Sequence, residues 1–291
     1  KDKVSVIKGK LVWAGETENN TEYKWFSEVT DGATKKSESV RSEWKEKIAE
    51  EVEGVPVPKG FTYKEGTKDT GLVIHDEKGN EFVWVPATVS TYIKDTSFPS
   101  YNNIKPTGDD TLPNGITNET TDVKKYGGFY IGRYEAGVPE NQSSIDGKSN
   151  STSDVKGVPV SKKDATVWSN ISYPNAKANA ENMISNEYVQ TGLITGTAWD
   201  TVCHWIKSDG ELKDSRTYGN YSNSLAPANV LGYGTKQVAG FSENWKIKNI
   251  YDLAGNVWEW TSEVCSSYSF SRGGSCRGDG GDVPVSYRLL P

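Results

Sequence analysis

The residues of this chain that could do chemistry are few: three cysteines and two histidines. They are Cys203, Cys265, Cys276, His75 and His204. Thiolates select Cu(I) and imidazole suits iron or zinc, but the spacing of these five residues fits no zinc site. Two histidines supply too few ligands for an iron centre. The sequence also supports no serine or cysteine triad, so these residue types do not favour catalysis.

A second group of informative residues lies in the stretch 249–261, which reads NIYDLAGNVWEWT. Gly255 and Asn256 are residue types that tolerate positive φ, and they predict a turn. Trp258 and Trp260 lie two residues apart, so their side chains point to the same side of an extended chain. The stretch therefore predicts a tight turn followed by a buried strand that the two tryptophans anchor.

The overall composition indicates a globular protein that is long enough for one large domain or two modest ones. The chain has 291 residues, of which 34% are hydrophobic and 11% aromatic, and its net charge is −6. This negative charge argues against a nucleic-acid-binding surface. No window of about 18 apolar residues predicts a membrane span. The first residue is Lys1 rather than Met, which is compatible with removal of a signal or anchor segment.

The elements that must position these residues fall into two predicted domains. Residues 1–53 are predicted to form an N-terminal appendage, and residues 54–291 the main domain. Apolar residues recur every fourth position near the end of the appendage and predict an amphipathic helix over 38–53. The apolar positions of this helix are Val40, Trp44, Ile48 and Val52.

The first half of the main domain shows strand patterns. Two apolar runs within 71–86 flank the polar residues 77–80, which predicts a hairpin. A second strand with several glycines is predicted over 127–137. The segments 94–122 and 138–157 are polar and lack periodicity, and both are predicted to be surface loops.

Two helices follow. The first is predicted in the region opened by residues 158–161, with Asn170 or Ser172 as its cap. The second is predicted to begin at Thr197, which has the spacing of a capping box with Asp200. Their predicted apolar sides are formed by Trp168, Ile171, Ala176, Ala180 and Met183 in the first helix and by Trp199, Val202, Cys203 and Ile206 in the second.

Five segments together resemble formylglycine-generating enzymes and their relatives, which share a C-type-lectin-like fold. In chain order they read GGFYIGRYEAG, PVSKKDATVWSNISYPNAKANAENM, GLITGTAWDTVCHWI, NIYDLAGNVWEWT and RGGS, and they cover roughly residues 60–288. Order over such a span is stronger evidence than one motif. The resemblance implies an irregular α+β domain in which two helices pack on twisted antiparallel sheets.

The chain departs from this family at two places. The oxidases of the family have paired cysteines shortly after the Gly-Gly-Ser motif, whereas Cys276 directly follows Ser275 and no cysteine comes later; Cys265 does not match the family's position. The resemblance therefore implies no copper or iron cofactor. The family also ends with a returning Gly-Phe-Arg strand. Either residues 287–290 take the place of that strand, or it lies outside this sequence.

The composition changes sharply in the last 28 residues. Lys, Glu, Gln, Met and Trp make up 63 of the 291 residues, but none of them occurs from Val264 onward. Lysine outnumbers arginine 27 to 6, yet three of the six arginines, Arg272, Arg277 and Arg288, lie in this tail. An ordinary loop rich in Gly and Ser is one explanation. A separate mutational history is the other.

The second explanation resembles one subfamily, the variable proteins of diversity-generating retroelements, whose adenine-randomised codons cannot encode the five missing types. The resemblance implies that two runs, on either side of Arg272–Ser275, form a ligand-binding face. Tyr268, Phe270 and Arg277 are of types that carry interface energy. The predicted variable residues are Val264, Cys265, Ser266, Ser267, Tyr268, Ser269, Phe270, Ser271, Cys276, Arg277, Gly278, Asp279, Gly281, Asp282, Val283 and Val285.

The resemblance also implies a structural calcium site. Family members hold calcium at the D-x-x-G-x-V-x-E frame, and oxygen ligands of this kind suit that cation. The matching residues are Asp252 and Glu259, through their carboxylates, and Gly255 and Val257, through their carbonyls. The alternative is that both acids cap turns or pair with arginine.

Together these features predict a non-catalytic receptor or target-recognition protein. We expect it to be secreted or displayed on a bacterial cell surface or phage particle, and to bind a protein or other macromolecule. The alternatives are a formylglycine-generating-type copper oxidase with an atypical site, a structural surface subunit and, more weakly, a carbohydrate lectin.

Overall fold

The computed structural model describes residues 48–110, 119–139, 157–207, 209–225, 234–266 and 268–290. The chain divides into two units between Glu51 and Val52, and a separate appendage over residues 1–53 stays a prediction. The second unit is of the mixed α+β class, as predicted, with several antiparallel sheets. No helix within the described ranges is long and apolar enough to span a membrane.

The predicted amphipathic helix over 38–53 is wrong for its last part. Strand β1 covers Ile48–Val52, and only its two end residues are partly buried. Residues four apart share one side of a strand as well as of a helix, so the spacing of Ile48 and Val52 could not separate the two. Val40 and Trp44 lie outside the described residues.

The largest sheet has four antiparallel strands, and the predicted hairpin over 71–86 forms its centre. The hairpin turn is held by Asp76, whose carboxylate accepts the backbone N–H of Asn80 at 2.8 Å. The predicted strand over 127–137 is confirmed in part, as β7. Strand β2 Val55–Pro58 lies outside this sheet. The sheet itself contains β3 Phe61–Glu65, β4 Val73–Asp76, β5 Glu81–Pro86 and β7 Gly128–Gly132, in the order β3-β4-β5-β7.

The described residues of the main domain contain four α-helices rather than the two predicted there. The short strand β6 lies within segment 94–122, and the extra helix α1, Glu119–Tyr126, begins within it. The prediction of a loop over 94–122 is therefore wrong at these two places. Most of the loop predicted over 138–157 lies outside the described residues. The bounds are β6 Gly108–Asp109, α1 Glu119–Tyr126, α2 Tyr173–Glu181, α3 Gly196–Ile206 and α4 Asp209–Leu212.

Helix α2 begins directly after one of its two predicted caps, and its buried side is polar. Of the two predicted caps, Asn170 and Ser172, the structure has Ser172 as the N-cap residue. Its side chain makes no capping hydrogen bond. Asn175 and Asn179 are buried instead of Ala176 and Ala180. The carboxamide of Asn179 accepts the Gly157 N–H at 3.1 Å, which explains why a polar residue can be buried here.

Helix α3 is the central helix of the domain. Its cap is Thr195, whose hydroxyl accepts the Ala198 N–H at 3.1 Å, so the prediction of Thr197 as the cap is wrong. The predicted partner Asp200 is fully buried and binds arginines instead. The predicted apolar stripe is confirmed, because Trp199, Val202, Cys203 and Ile206 are all buried.

The C-terminal sheet carries the first of the two predicted variable runs. Strands β10 Glu259–Cys265 and β11 Tyr268–Arg272 form an antiparallel hairpin, and β6 pairs with the other side of β10. Ser271 and Leu289 exchange backbone hydrogen bonds at 2.9 Å. Leu289 therefore lies beside β11 through an isolated bridge, and the replacement of a returning strand by residues 287–290 stays a prediction.

The turn predicted within 249–261 is confirmed. Gly255 and Asn256 have φ of 83° and 54°, and the turn follows the short strands β8 Lys246–Ile247 and β9 Ile250–Tyr251. Trp258 and Trp260 are only half-buried, so the predicted burial is wrong for them. The indole of Trp260 still anchors the strand, since it donates to the Ile171 carbonyl at 2.9 Å.

Candidate functional site

The exposed part of the first predicted variable run is the tip of the β10–β11 hairpin, residues 264–268, here called the hairpin tip. Cys265 pairs with Tyr268 across the tip. Tyr268 is 58% exposed, and Ser266 is exposed with φ of 53°. Val264 and Cys265 are half-buried, and Ser267 lies outside the described residues.

The exposed part of the second run is residues 276–283, here called the C-terminal loop. Its internal bonds come from Asp279, whose Oδ1 accepts the N–H groups of Gly281 at 2.7 Å and Asp282 at 3.3 Å. A hydrogen bond with Asn223 and these amides hold the pKa of Asp279 below its ordinary value. The exposed residues are Arg277, Asp279, Gly281 and Asp282, and Gly278 and Val283 are half-buried.

Five predicted variable residues are buried, which corrects their assignment to a binding surface. Phe270 and Val285 have no exposed surface, and Trp199 donates its indole N–H to the Val285 carbonyl at 3.0 Å. The side chains from Ser269 to Arg272 in β11 are all buried, so the middle of this strand cannot face a ligand. The buried residues are Ser269, Phe270, Ser271, Cys276 and Val285.

The two exposed groups do not form one continuous face. Cys265 pairs with Tyr268 at one end of the hairpin, and Glu259 pairs with Arg272 at the other. Tyr268 and Arg272 are four residues apart along β11, so the two ends of the hairpin lie roughly 13 Å apart. The C-terminal loop begins beyond the second end, where the Cys276 N–H donates to the Asn256 carbonyl at 3.0 Å.

The Arg272–Ser275 motif between the two groups is a rigid base. Gly273 and Gly274 have φ of 91° and 85°, a region that favours glycine. A Cβ on Gly274 would lie 2.6 Å from the Tyr221 ring. The carbonyl of Gly273 accepts the Tyr221 hydroxyl at 2.8 Å and the Gly255 N–H at 2.7 Å.

Four charged side chains beneath this base, here called the ion quartet, are fully buried: Asp200, Glu263, Arg272 and Arg288. Arg272 bridges the two acids, at 2.6 Å to Asp200 and 2.9 Å to Glu263, and Arg288 bridges them at the same two distances. Burial raises the pKa of Glu263, but the two arginines outweigh it and hold that pKa below its ordinary value. The quartet is formally neutral, and both acids bind ionised arginines.

The ion quartet also changes the interpretation of the arginines in the last 28 residues. Arg272 and Arg288 are buried structural residues, whereas Arg277 is exposed. The planar guanidinium can bridge two carboxylates, which lysine cannot do with the same geometry. Two of the three tail arginines therefore have a structural reason, and the excess of arginine is weaker evidence for a separate mutational history.

The predicted calcium residues lie in a cluster of three mutually repelling carboxylates, here called the acidic cluster: Glu135, Asp252 and Glu259. Burial raises the pKa of Asp252 to about 7. Burial and the charge of Asp252 raise the pKa of Glu259 to about 8. Burial and the charges of the other two acids raise the pKa of Glu135 well above its ordinary value. Sequence reasoning missed Glu135, which stands within a glycine-rich strand pattern and bears no spacing relation to the other two.

Only one of the two carboxylate oxygens of Asp252 accepts a hydrogen bond. Its Oδ2 accepts the Gly240 N–H at 2.6 Å, and its buried Oδ1 has no hydrogen-bond partner. No group of three or more His, Cys, Asp or Glu side chains in the described residues is arranged as a metal site. The predicted calcium ligands are not a group of three such side chains. They combine two carboxylates with the backbone carbonyls of Gly255 and Val257.

The cysteines and histidines are not brought together. Cys203 lies in the core of α3, where burial raises its pKa to about 12. Burial also raises the pKa of Cys276. Cys265 is at the opposite end of the hairpin from Cys276. His204 binds Asp95 at 2.9 Å on the surface of α3, and His75 lies in strand β4.

Comparisons of this chain with protein families, with curated proteins and with solved structures find no match.

Proposed function

We propose that this chain is a non-catalytic ligand-binding protein with a C-type-lectin-like fold of the formylglycine-generating-enzyme type. In this proposal its exposed C-terminal residues are diversified by a retroelement. The ligand is a protein or another macromolecule, met outside the cell, at a cell surface or from a phage particle. The five family-like segments in chain order support the fold, since the antiparallel sheets and the central helix α3 agree with an α+β domain.

One observation carries the binding role: the C-terminal loop is exposed, yet both of its ends are attached to a buried frame. Cys276 is bound to Asn256 at the start, and Val285 is bound to Trp199 after the end. Residues such as Arg277 and Asp282 can therefore change without altering the core. A rigid scaffold with replaceable exposed side chains is what a recognition surface needs.

The competing copper oxidase is disfavoured by the positions of the cysteines. Two thiolates must approach one ion at about 2–2.5 Å each, but Cys265 and Cys276 belong to opposite ends of a hairpin whose ends are roughly 13 Å apart. A copper titration tests this alternative. Stoichiometric Cu(I) binding that is lost in both Cys265→Ser and Cys276→Ser would favour the oxidase.

Sequencing the same locus in sister isolates tests the diversification. We expect substitutions to concentrate at exposed positions, because changes there leave the core intact. These positions are Ser266, Tyr268, Arg277, Asp279, Gly281 and Asp282. Phe270 and the ion quartet should stay constant. An even spread of substitutions along the chain, or a tail as constant as α3, would contradict the proposal.

We propose further that calcium binds Asp252 and Glu259 together with the carbonyls of Gly255 and Val257. The unpartnered Asp252 Oδ1 and the mutual repulsion of the acidic cluster support this, because a divalent cation would neutralise both. At about one hundred times its dissociation constant, calcium should stabilise the fold by about 2.7 kcal/mol.

Calorimetry and thermal melting of chelator-treated protein measure this effect. The expected rise in melting temperature is about 5–10 °C. Asp252→Asn should abolish both the heat of binding and the rise. Asp69→Asn, the same change at an exposed aspartate, is the matched control and should keep both. Absence of heat in the unaltered protein would rule the calcium site out.

A further inference from the structure

Asn256 is a buried residue that connects three segments of the chain. It is 1% exposed and has φ of 54°. Its Oδ1 accepts the Gln237 N–H at 2.9 Å and the Asn220 carboxamide N–H at 3.0 Å. Its Nδ2 donates to the carboxylate of Glu135. Every polar atom of this carboxamide is thus engaged, so the position of Asn256 is fixed from several directions.

The same residue joins the acidic cluster to the C-terminal loop. Its backbone carbonyl accepts the N–H of Cys276, the first residue of the loop, at 3.0 Å. Glu135 also accepts the Val257 N–H at 3.1 Å. A continuous path of hydrogen bonds therefore runs from Glu135 through Asn256 to Cys276.

We infer that calcium at Asp252 and Glu259 fixes the C-terminal loop through Asn256, so that calcium regulates the proposed binding surface. Asn256 lies between Gly255 and Val257, whose carbonyls are the expected calcium ligands, and cation binding therefore restrains the peptide units on both sides of it. Glu135 and Asn256 are positioning residues in this arrangement. The inference rests on the calcium site proposed above and goes beyond it, because a structural cation need not act on a surface loop.

The three free cysteines allow this coupling to be measured in the full chain without a ligand. Cys276 is 6% exposed and reports opening of the C-terminal loop, and Cys203 is fully buried and reports global unfolding. Cys265 is half-buried at the hairpin tip, so it serves as the internal control. Alkylation rates of all three are followed by mass spectrometry, in calcium chloride and in chelator.

We expect calcium to slow alkylation of Cys276 about tenfold or more, a typical size for coupling between two sites. Alkylation of Cys265 should be unchanged and Cys203 should stay unreactive. Calcium binding without slower alkylation of Cys276, or equal slowing at all three cysteines, would overturn the coupling. No heat of calcium binding would instead overturn the calcium site itself, so the two failures are distinguishable in the unaltered protein.

Glu135→Gln tests the path. It replaces one of the two acceptor oxygens with an NH2 group and keeps the size of the side chain. Only one of the two N–H groups that Glu135 accepts, from Asn256 and from Val257, then keeps its acceptor. The variant should still give heat with calcium but lose the slowing at Cys276. Glu187→Gln, the same change at an exposed residue, should behave as the unaltered chain. Loss of calcium heat in Glu135→Gln would make Glu135 a ligand and overturn its positioning role, and retained slowing would overturn the path.

Discussion

Replacing Asp200 with asparagine should lower the free energy of unfolding by about 3–5 kcal/mol, because removing one member of a buried ion pair leaves its partner charges uncompensated. Arg272 and Arg288 each bind Asp200 at 2.6 Å with no exposed surface. The substitution keeps the shape of the side chain, removes the charge and replaces one acceptor oxygen with an NH2 group that cannot accept from an arginine. Since whole domains are stable by about 5–15 kcal/mol, this loss is a large share of the total.

Urea unfolding followed by tryptophan fluorescence measures this change. Glu211→Gln is the matched control, because Glu211 forms a partly exposed ion pair with Lys207. Loss of a pair at the surface should cost no more than about 1 kcal/mol. Equal midpoints for Asp200→Asn and the unaltered protein would show that the quartet does not hold the tail on α3. They would also remove the structural explanation of Arg272 and Arg288.

The features predicted correctly from the sequence are those with local periodic patterns. The apolar stripe of α3 repeats at helical spacing, and the hairpin over 71–86 places a turn between two apolar runs, so neighbouring residues carry the signal. The ion quartet carries no such signal. Asp200 finds its partners 72 and 88 residues further along the chain, and its spacing from Thr197 instead favoured a capping box that does not form.

The sequence predicts a region for the candidate site but not which residues of that region are exposed. The composition change marks the region from Val264 onward, but it cannot separate residues at the hairpin tip from those in the middle of β11. Strands of a one-sided sheet bury alternate residues, whereas Ser269, Phe270 and Ser271 are all buried in succession. Burial of both faces of a strand depends on contacts with residues distant in the sequence, which a local pattern does not contain.

The proposed binding surface and the core meet within two residues of β11, and this gives the second large prediction. Phe270→Ala should lower the free energy of unfolding by about 3–5 kcal/mol, because it leaves a cavity at a fully buried aromatic residue. Tyr268→Ala removes a ring of similar size from the same strand, but 58% of that residue is exposed. We expect its stability cost to be well under half of that for Phe270→Ala.

Paired unfolding curves of these two variants decide where the interchangeable surface begins. A large loss for Phe270→Ala with a small one for Tyr268→Ala assigns residue 270 to the frame and residue 268 to the surface. Diversification could then act on the hairpin tip without unfolding the domain. Similar small losses for both would instead return Phe270 to the surface and make β11 as replaceable as the sequence alone predicts. Because the two residues share a strand and differ in burial, secondary-structure propensity cannot produce the expected contrast.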